Sequence, residues 1–138
     1  MSQENVDAVR RAIEAWNRDD VDAYLELVEE LAHPDLEWYA VIAQMVEGED
    51  SVYRGPAGMR RFWEEWHEVF DFHFEDTDIR EVAGKVVVLS RAVVKGRGSG
   101  VDLETPLAMV LTFEGDRLIR EVSYLDHAEA LKAAELSE

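Results

Sequence analysis

The segment that decides the fold runs from Arg117 to Leu136 and reads RLIREVSYLDHAEALKAAEL. It begins as a strand with a period of two and passes directly into a short helix, from about Ala128 onward. The strand ends in Tyr124-Leu125-Asp126-His127, which brings a phenol, a carboxylate and an imidazole to one end of the sheet. We interpret this strand end as a candidate pocket wall.

Three more strands precede this segment and form a meander with it. Short turns that contain glycine separate the strands, at Ala83-Gly84, Gly98-Ser99-Gly100 and Gly115-Asp116. Turns of this length join antiparallel neighbours. The period of two predicts the strands Phe72 to Val82, Lys85 to Gly98, Val101 to Phe113 and Arg117 to Asp126.

The first half of the chain is predicted to be mainly helical. Asp20 is a suitable cap for a second helix that ends before His33-Pro34. A third helix follows Gly55-Pro56, and the stretch between these two helices, Asp35 to Val46, is predicted to be a strand because it is rich in Trp, Tyr, Val and Ile. Apolar stripes at helical spacing are Val6, Val9, Ile13 and Trp16 in the first helix and Met59, Phe62, Trp63, Trp66 and Phe70 in the third.

These elements predict one α+β domain over residues 1–138. In this domain a curved antiparallel sheet wraps around three helices, and a short C-terminal helix follows. The strands are apolar on both faces, so the face away from the three helices needs a second cover. We expect a homodimer that pairs through this sheet face.

The composition restricts the partners. The chain has 14 Lys+Arg against 31 Asp+Glu, for a formal net charge of -17. This charge repels phosphate backbones and anionic lipids, so we expect neither nucleic acid nor a membrane as a partner. There is no cysteine, no apolar run of the roughly 20 residues that cross a bilayer, and no secretory signal in MSQENVDAVRR. We therefore expect a soluble, cytoplasmic protein.

Two short motifs and the order of the elements resemble the SnoaL-like branch of the NTF2-like superfamily. The motifs are Tyr53-Arg54-Gly55-Pro56-Ala57-Gly58 and Tyr124-Leu125-Asp126-His127-Ala128-Glu129-Ala130-Leu131. The resemblance covers nearly the whole chain and implies a cone, in which the sheet and three helices enclose an apolar cavity, often in a dimer. The superfamily includes polyketide cyclases, ketosteroid isomerases, epoxide hydrolases, dehydratases and many proteins of no known activity, so the reaction stays open.

The resemblance also allows the isomerase mechanism to be tested residue by residue. That mechanism needs a tyrosine, a carboxylate base and a neutral second acid. In the isomerase pattern these groups fall at about Ala12, at Tyr39 or Ala40, and near Met109, and none of these side chains is suitable. Steroid isomerisation by that mechanism is therefore not expected.

The cyclase-like pattern implies an acid and a histidine that act on an activated carbon next to a carbonyl. Asp126 is our candidate acid, since we assign the strand face of Val122 and Tyr124 to the cavity; alternatively Asp126 only caps the end helix. His67 follows Trp63 by four residues, borders the apolar stripe of the third helix and is our candidate base. Its alternative role is that of a rim histidine that only forms hydrogen bonds.

Large rings, adaptable methionines and small side chains are candidates for the wall of a pocket that binds a flat, mostly apolar ligand. The alternative is that these residues only form core. The histidines show no metal-ligand spacing, and no phosphate loop or nucleophile elbow occurs, so we expect no metal and no cofactor. The pocket candidates are Trp16, Trp38, Tyr53, Met59, Trp63, Trp66, Ser90, Ala92, Met109, Val122 and Tyr124.

Two functions follow from these observations. The first is binding of a small apolar or aromatic molecule in a conical cavity, with cofactor-independent acid–base chemistry of the isomerase, cyclase or dehydratase type. The second is a non-catalytic module for dimerisation or protein interaction, in which side chains fill the cavity. Whether the protein is an enzyme stays open at this point.

Overall fold

The computed structural model describes residues 2–136, which form five helices and a six-stranded sheet. The helices are α1 (Ser2–Asn17), α2 (Val21–Leu31), α3 (Val41–Glu47), α4 (Gly55–Val69) and α5 (His127–Leu136). The strands are β1 (Ala32–Tyr39), β2 (Tyr53–Arg54), β3 (Phe70–Val82), β4 (Lys85–Gly96), β5 (Asp102–Glu114) and β6 (Arg117–Tyr124).

The α+β class and the curved sheet around helices are confirmed, with one change in strand direction. The sheet order is β2-β1-β6-β5-β4-β3, and β3 to β6 form the predicted antiparallel meander. β1, however, lies parallel to β6, with Trp38 beside Glu121. The sheet is therefore mixed, because β1 and β6 are joined by most of the chain and no hairpin dictates their direction.

The predicted strand Asp35 to Val46 was wrong in its second half. The chain leaves the sheet after Tyr39 and forms α3, whose first backbone amide, that of Val41, donates a hydrogen bond of 2.7 Å to Ser123 Oγ on β6. A helix start leaves backbone amides without partners inside the helix, and Ser123 supplies one acceptor. A β-branched, apolar run is ambiguous between strand and helix, so this tertiary contact decides the outcome.

The N-terminal cap that the sequence predicted for α2 is present. Asp20 Oδ1 accepts a hydrogen bond of 3.1 Å from the amide of Ala23, as expected for an N-cap aspartate.

Among the residues that the structure describes, no helix is both long and apolar enough to cross a membrane.

The main core lies between the helices α1, α2 and α4 and the inner face of the sheet. A second, smaller cluster lies on the outer face, where α5 packs across β4 and β5. Ala130 and Ala134 of α5 cover the apolar side chains Val87, Leu89 and Val110. The second cover that the sequence called for therefore comes at least in part from α5 of the same chain.

Candidate active site

A narrow cavity of about 70 Å³ lies between the inner face of the sheet and the helices α1, α2 and α4. Its wall is almost wholly apolar, and Glu121 is the one side chain with a carboxyl group among the described residues that line it. The lining residues are Val9, Ala12, Ile13, Trp16, Tyr24, Leu31, Trp38, Ala40, Ile42, Met59, Phe62, Phe72, Phe74, Leu107, Met109, Leu111, Leu118, Glu121 and Ser123.

A β-bulge in β6 directs the side chain of Glu121 into the cavity. The partners of Thr112 and Phe113 on β5 are Arg120 and Leu118, so Ile119 is an extra residue on β6. Leu118 faces the cavity before the bulge, and a strict period of two would then place Arg120 and Val122 on the same face. The extra residue shifts the alternation by one, and the side chains of Glu121 and Ser123 face inward instead.

Glu121 is 4% exposed and has no hydrogen-bond or ion-pair partner among residues 2–136. Burial of the charged form in this apolar wall raises the pKa of Glu121 to about 8. The carboxyl group is therefore mostly protonated at neutral pH and is ionised only in mildly alkaline solution. Its protonated and charged forms are both accessible close to physiological pH.

Two aromatic residues with polar atoms accompany Glu121 in the wall. Trp38 lies beside Glu121 on the neighbouring strand, and its Nε1 is buried without a hydrogen-bond partner. Tyr24 projects from α2 and is 4% exposed. Burial, and next the charge of Glu121, raise the pKa of Tyr24, so its hydroxyl keeps the proton throughout the physiological range. The wall residues therefore include one carboxyl group that titrates, that of Glu121, and two groups that stay protonated, the hydroxyl of Tyr24 and the indole N–H of Trp38.

A carboxyl with these properties is suited to general acid–base catalysis. A group with a pKa near the working pH both gives up and accepts protons readily, and buried, perturbed carboxyls are concentrated at functional sites. Within residues 2–136 no group of three or more His, Asp or Glu side chains is placed to hold a metal ion.

Four of the predicted pocket residues line the cavity, namely Trp16, Trp38, Met59 and Met109. The predicted rings Tyr53, Trp63 and Trp66 and the small residues Ser90 and Ala92 lie outside this lining. The polar groups of Tyr53, Trp66 and Ser90 form hydrogen bonds within the fold. Tyr53 Oη donates to Glu65 Oε1 at 2.9 Å and accepts from Trp66 Nε1 at 3.3 Å, and Ser90 Oγ donates to the carbonyl of Leu107 at 2.7 Å.

Val122 and Tyr124 lie on the outer face of the sheet, which corrects our assignment of that face to the cavity. Tyr124 packs in the cluster under α5, and Val122 is paired with Val110 of the same cluster. The bulge at Ile119 is the physical reason, because one extra residue exchanges the two faces of a strand.

Asp126 and His67 are not brought together. Asp126 is exposed and caps α5, with its Oδ1 accepting hydrogen bonds from the amides of Ala128 at 2.8 Å and Glu129 at 3.2 Å. His67 lies on the helical side of the sheet, outside the cavity lining, stacked on Trp63 with a centroid separation of 3.7 Å. The structure thus gives Asp126 the capping role that the sequence left open.

The surroundings of His67 favour its neutral form. Neither ring nitrogen has a hydrogen bond of ordinary geometry, and Nε2 lies 3.7 Å from Asp19 Oδ1. Burial is the main influence and lowers the pKa of His67, although the backbone of Trp63 and the charge of Asp19 oppose it. His67 is therefore a partly buried residue of the contact between α1 and α4, where its ring packs against Trp16 and Trp63.

Replacing Asp126 distinguishes capping from chemistry. We expect Asp126→Ala to lower the free energy of unfolding by about 1 kcal/mol, since two amides at the start of α5 lose their acceptor. Asp126→Asn should change it little, because asparagine caps equally well. Urea denaturation of the two variants measures the difference, and an equal loss in both would contradict the capping role.

Sequence reasoning missed Glu121 and Tyr24. The positions tested against the isomerase pattern, Ala12, Ala40 and Met109, do line the cavity, but the carboxyl comes from β6 instead. The sequence provided little indication of this, because a glutamate in the run Arg120-Glu121-Val122 is predicted to be solvent-exposed unless the bulge is known. Only the pairing of β6 with β5 reveals that Glu121 faces inward.

Comparison with known proteins assigns the family. The model of the SnoaL-like domain family matches residues 9–121, which is most of the chain. The chain belongs to the SnoaL-like domain family. The resemblance inferred from the two short motifs is thereby confirmed. No curated protein matches the sequence.

Solved structures with the same fold are similar along nearly their whole length. An NTF2-like protein of unknown function from Burkholderia pseudomallei is 21% identical, with 94% of this chain and 95% of that chain covered and a TM-score of 0.73. TerC, co-crystallised with polyporic acid, is 18% identical, with 95% of this chain and 98% of TerC covered and a TM-score of 0.71. A protein described as a polyketide cyclase from Xanthomonas campestris is 15% identical, with 96% of this chain and 98% of that chain covered and a TM-score of 0.72. At these identities the likeness shows the NTF2-like fold.

Proposed function

We propose that this SnoaL-like protein binds a small, mainly apolar molecule in its cavity and transfers a proton on it without a cofactor. Glu121 is the acid–base group in this proposal. The observation that carries it is a carboxyl group that is 4% exposed, has no partner among residues 2–136 and lies in an almost wholly apolar cavity wall. Burying such a group costs stability, and a fold that needed only a core would be more stable with an apolar side chain there.

The reaction type follows from the groups present. With its pKa raised to about 8, Glu121 serves as an acid in its protonated form and as a base in its ionised form. An apolar substrate with an activated C–H bond suits a wall of aromatic and aliphatic side chains. The family supports this proposal, since proteins of the same fold are described as polyketide cyclases or as having an isomerase-like fold.

The cavity must widen to take a substrate with a ring. Its volume of about 70 Å³ is about half of the roughly 150 Å³ of an engineered cavity that binds benzene. Met59 and Met109 are the side chains in the wall best suited to make room, because methionine has three rotatable bonds and no branches. Small ligands with about five or six heavy atoms are therefore the first probes to use.

Hydrogen exchange on a small carbon acid tests the proposal directly. Cyclopentanone is incubated with the protein in D2O buffer near pH 8, and NMR follows the loss of the signal of the hydrogens next to the carbonyl. We expect the protein to accelerate this exchange over buffer, and Glu121→Gln to slow it by about 10²- to 10⁴-fold because the amide neither accepts nor gives the proton.

Asp126→Asn and His67→Gln are the matched controls, since both residues lie outside the cavity lining. Each should retain the exchange rate of the unaltered protein. Exchange that is equally fast with Glu121→Gln would remove Glu121 from the mechanism. If the protein accelerates exchange in no member of a panel of small carbon acids, the non-catalytic alternative is favoured.

The alternative, a non-catalytic module for dimerisation or protein interaction, is supported by the small volume of the cavity. The predicted homodimer through the sheet face belongs to either function. Part of the apolar outer face is covered by α5, and the charged residues Arg91, Glu75 and Glu104 form ion pairs on β3, β4 and β5. Dimerisation and a cytoplasmic location stay predictions, and light scattering at micromolar concentration tests the first.

A further inference from the structure

We propose that the indole N–H of Trp38 and the hydroxyl of Tyr24 form a donor pair that binds an acceptor oxygen of the substrate. The substrate class is then a small apolar molecule with a carbonyl group, oriented by its oxygen. This inference rests on the proposed function, and it names a binding role for two residues on β1 and α2.

The first observation is a missing hydrogen-bond partner. Trp38 is 6% exposed and lines the cavity, yet its Nε1 has no acceptor among the described residues. Trp16 and Trp66, in contrast, donate to the carbonyl of Phe72 at 2.7 Å and to Tyr53 Oη at 3.3 Å. A buried donor without an acceptor is costly and uncommon in folded proteins. A bound ligand with an acceptor atom would remove this cost at Trp38.

The second observation is the environment of the Tyr24 hydroxyl. Tyr24 is 4% exposed, its ring packs edge-on against Trp16 at 5.3 Å, and it lines the same cavity as Trp38. Among residues 2–136 the structure shows no hydrogen bond from its hydroxyl. A phenol that keeps its proton is a permanent donor in a wall that otherwise provides almost no polar groups.

The chemistry of these groups favours an acceptor atom on the ligand. Trp38 donates only, Tyr24 keeps its proton, and Glu121 is also protonated at neutral pH. A carbonyl oxygen accepts hydrogen bonds from such donors. The three groups come from β1, α2 and β6, and none of them occupies the positions Ala12 and Met109, where the isomerase pattern has its oxyanion donors.

The same pair stabilises the charge that forms during proton transfer. Ionised Glu121 takes the proton from the carbon next to the carbonyl, the C–H electrons form a carbon–carbon double bond, and the carbonyl electron pair moves onto the oxygen. The resulting enolate oxygen accepts from Trp38 Nε1–H and Tyr24 Oη–H. Glu121 then gives a proton back to carbon, which in D2O is a deuteron once the carboxyl group has exchanged with solvent. This step restores a neutral ketone, so atoms and charge balance without a co-reactant.

NMR of the indole N–H groups tests the pair in the unaltered protein. The four tryptophans give four assignable indole resonances, which are followed during titration with cyclopentanone and with methylenecyclopentane, in which CH2 replaces the oxygen. We expect the ketone to move the Trp38 indole proton downfield, as hydrogen bonding does, and the hydrocarbon to produce no such shift. Equal shifts with both probes, or no binding of either up to its solubility, would overturn the proposal.

Substitutions measure how much each donor contributes. Trp38→Phe and Tyr24→Phe each remove a donor and retain a ring, so we expect each to weaken cyclopentanone binding by about 3- to 10-fold. Binding of methylenecyclopentane should not change. Trp66→Phe is the matched control, because Trp66 lies outside the cavity lining.

The outcomes separate this inference from the proposed function. Proton exchange that depends on Glu121 but is accompanied by no selective shift at Trp38 would overturn the donor pair alone. A selective shift at Trp38 without any proton exchange would support the donor pair as a binding site and count against catalysis.

Discussion

Raising the pH from about 5 to about 8 is expected to destabilise this protein through Glu121, by about 1 kcal/mol per pH unit. The total loss is on the order of a few kcal/mol, which is a large share of the stability of an ordinary domain. The effect is unusual for a carboxyl group, because acidic residues with a partner stabilise the folded state as the pH rises. Glu121 has no such partner in the part of the chain that the structure describes.

The direction follows from the two pKa values. The unfolded chain releases the Glu121 proton near the usual value of 4.5, whereas the folded protein keeps it up to about 8. Between these values the folded state binds more protons than the unfolded state, so the free energy of unfolding falls with rising pH. Below about 4.5 and above about 8 both states carry the same charge at this position, and the contribution of Glu121 to the slope disappears.

Urea denaturation at a series of pH values measures this slope. His67, whose pKa is lowered by burial, contributes a slope of the opposite sign just below pH 6.5. The difference between the unaltered protein and Glu121→Gln therefore isolates the contribution of Glu121. Glu121→Met, which is similar in size and apolar, should be more stable than the unaltered protein at pH 8. The exposed Glu129 on α5 provides the control substitution Glu129→Gln. Parallel pH curves for Glu121→Gln and the unaltered protein would show that Glu121 does not titrate in this range.

Replacing Trp16 by alanine is expected to destabilise the protein by about 3 to 5 kcal/mol. Trp16 is 2% exposed and is the hub of the aromatic core, with ring contacts to residues of α2, α4 and β3. Its Nε1 also donates to the carbonyl of Phe72 at 2.7 Å, which ties α1 to β3. The ring partners are Tyr24, Phe62, Trp63, His67, Phe72 and Phe74.

Two further substitutions divide this loss into its parts. Trp16→Phe retains a ring but leaves the Phe72 carbonyl without its donor, and we expect a smaller loss of about 1 to 3 kcal/mol. Trp66→Ala removes a ring that is only half-buried and should cost less than Trp16→Ala. Denaturation midpoints and slopes provide the three values. A loss for Trp16→Ala no larger than that for Trp66→Ala would contradict the role of Trp16 as the hub.

Much of the architecture was predictable because it depends on local periodicity. The stripe from Val6 to Trp16 predicted α1, and Asp20 predicted the start of α2. Glycine turns predicted the antiparallel meander. The segment Val41–Glu47 was assigned incorrectly, because its helix begins at a hydrogen bond from Val41 to Ser123, a residue 82 positions away. A contact at that distance along the chain leaves no local signal.

The candidate site was predictable only in part. Trp16, Trp38, Met59 and Met109 were named as wall residues and line the cavity, whereas the carboxyl group was sought at Asp126. Aromatic and apolar stripes reveal which side of a helix is buried. They do not reveal which face of β6 turns inward when a bulge interrupts its alternation.

The sequence by itself indicated the family through two short motifs, and it determined the helices α1, α2 and α4, the antiparallel strands β3 to β6 and the apolar character of the wall, which follow from spacing and side-chain type along the chain. Only the tertiary structure decided that Glu121 lies inside, that Asp126 is a cap, and that Trp38 and Tyr24 share a cavity with the carboxyl group. The physical reason is that a bulge, a buried charge and its pKa depend on neighbours from distant strands.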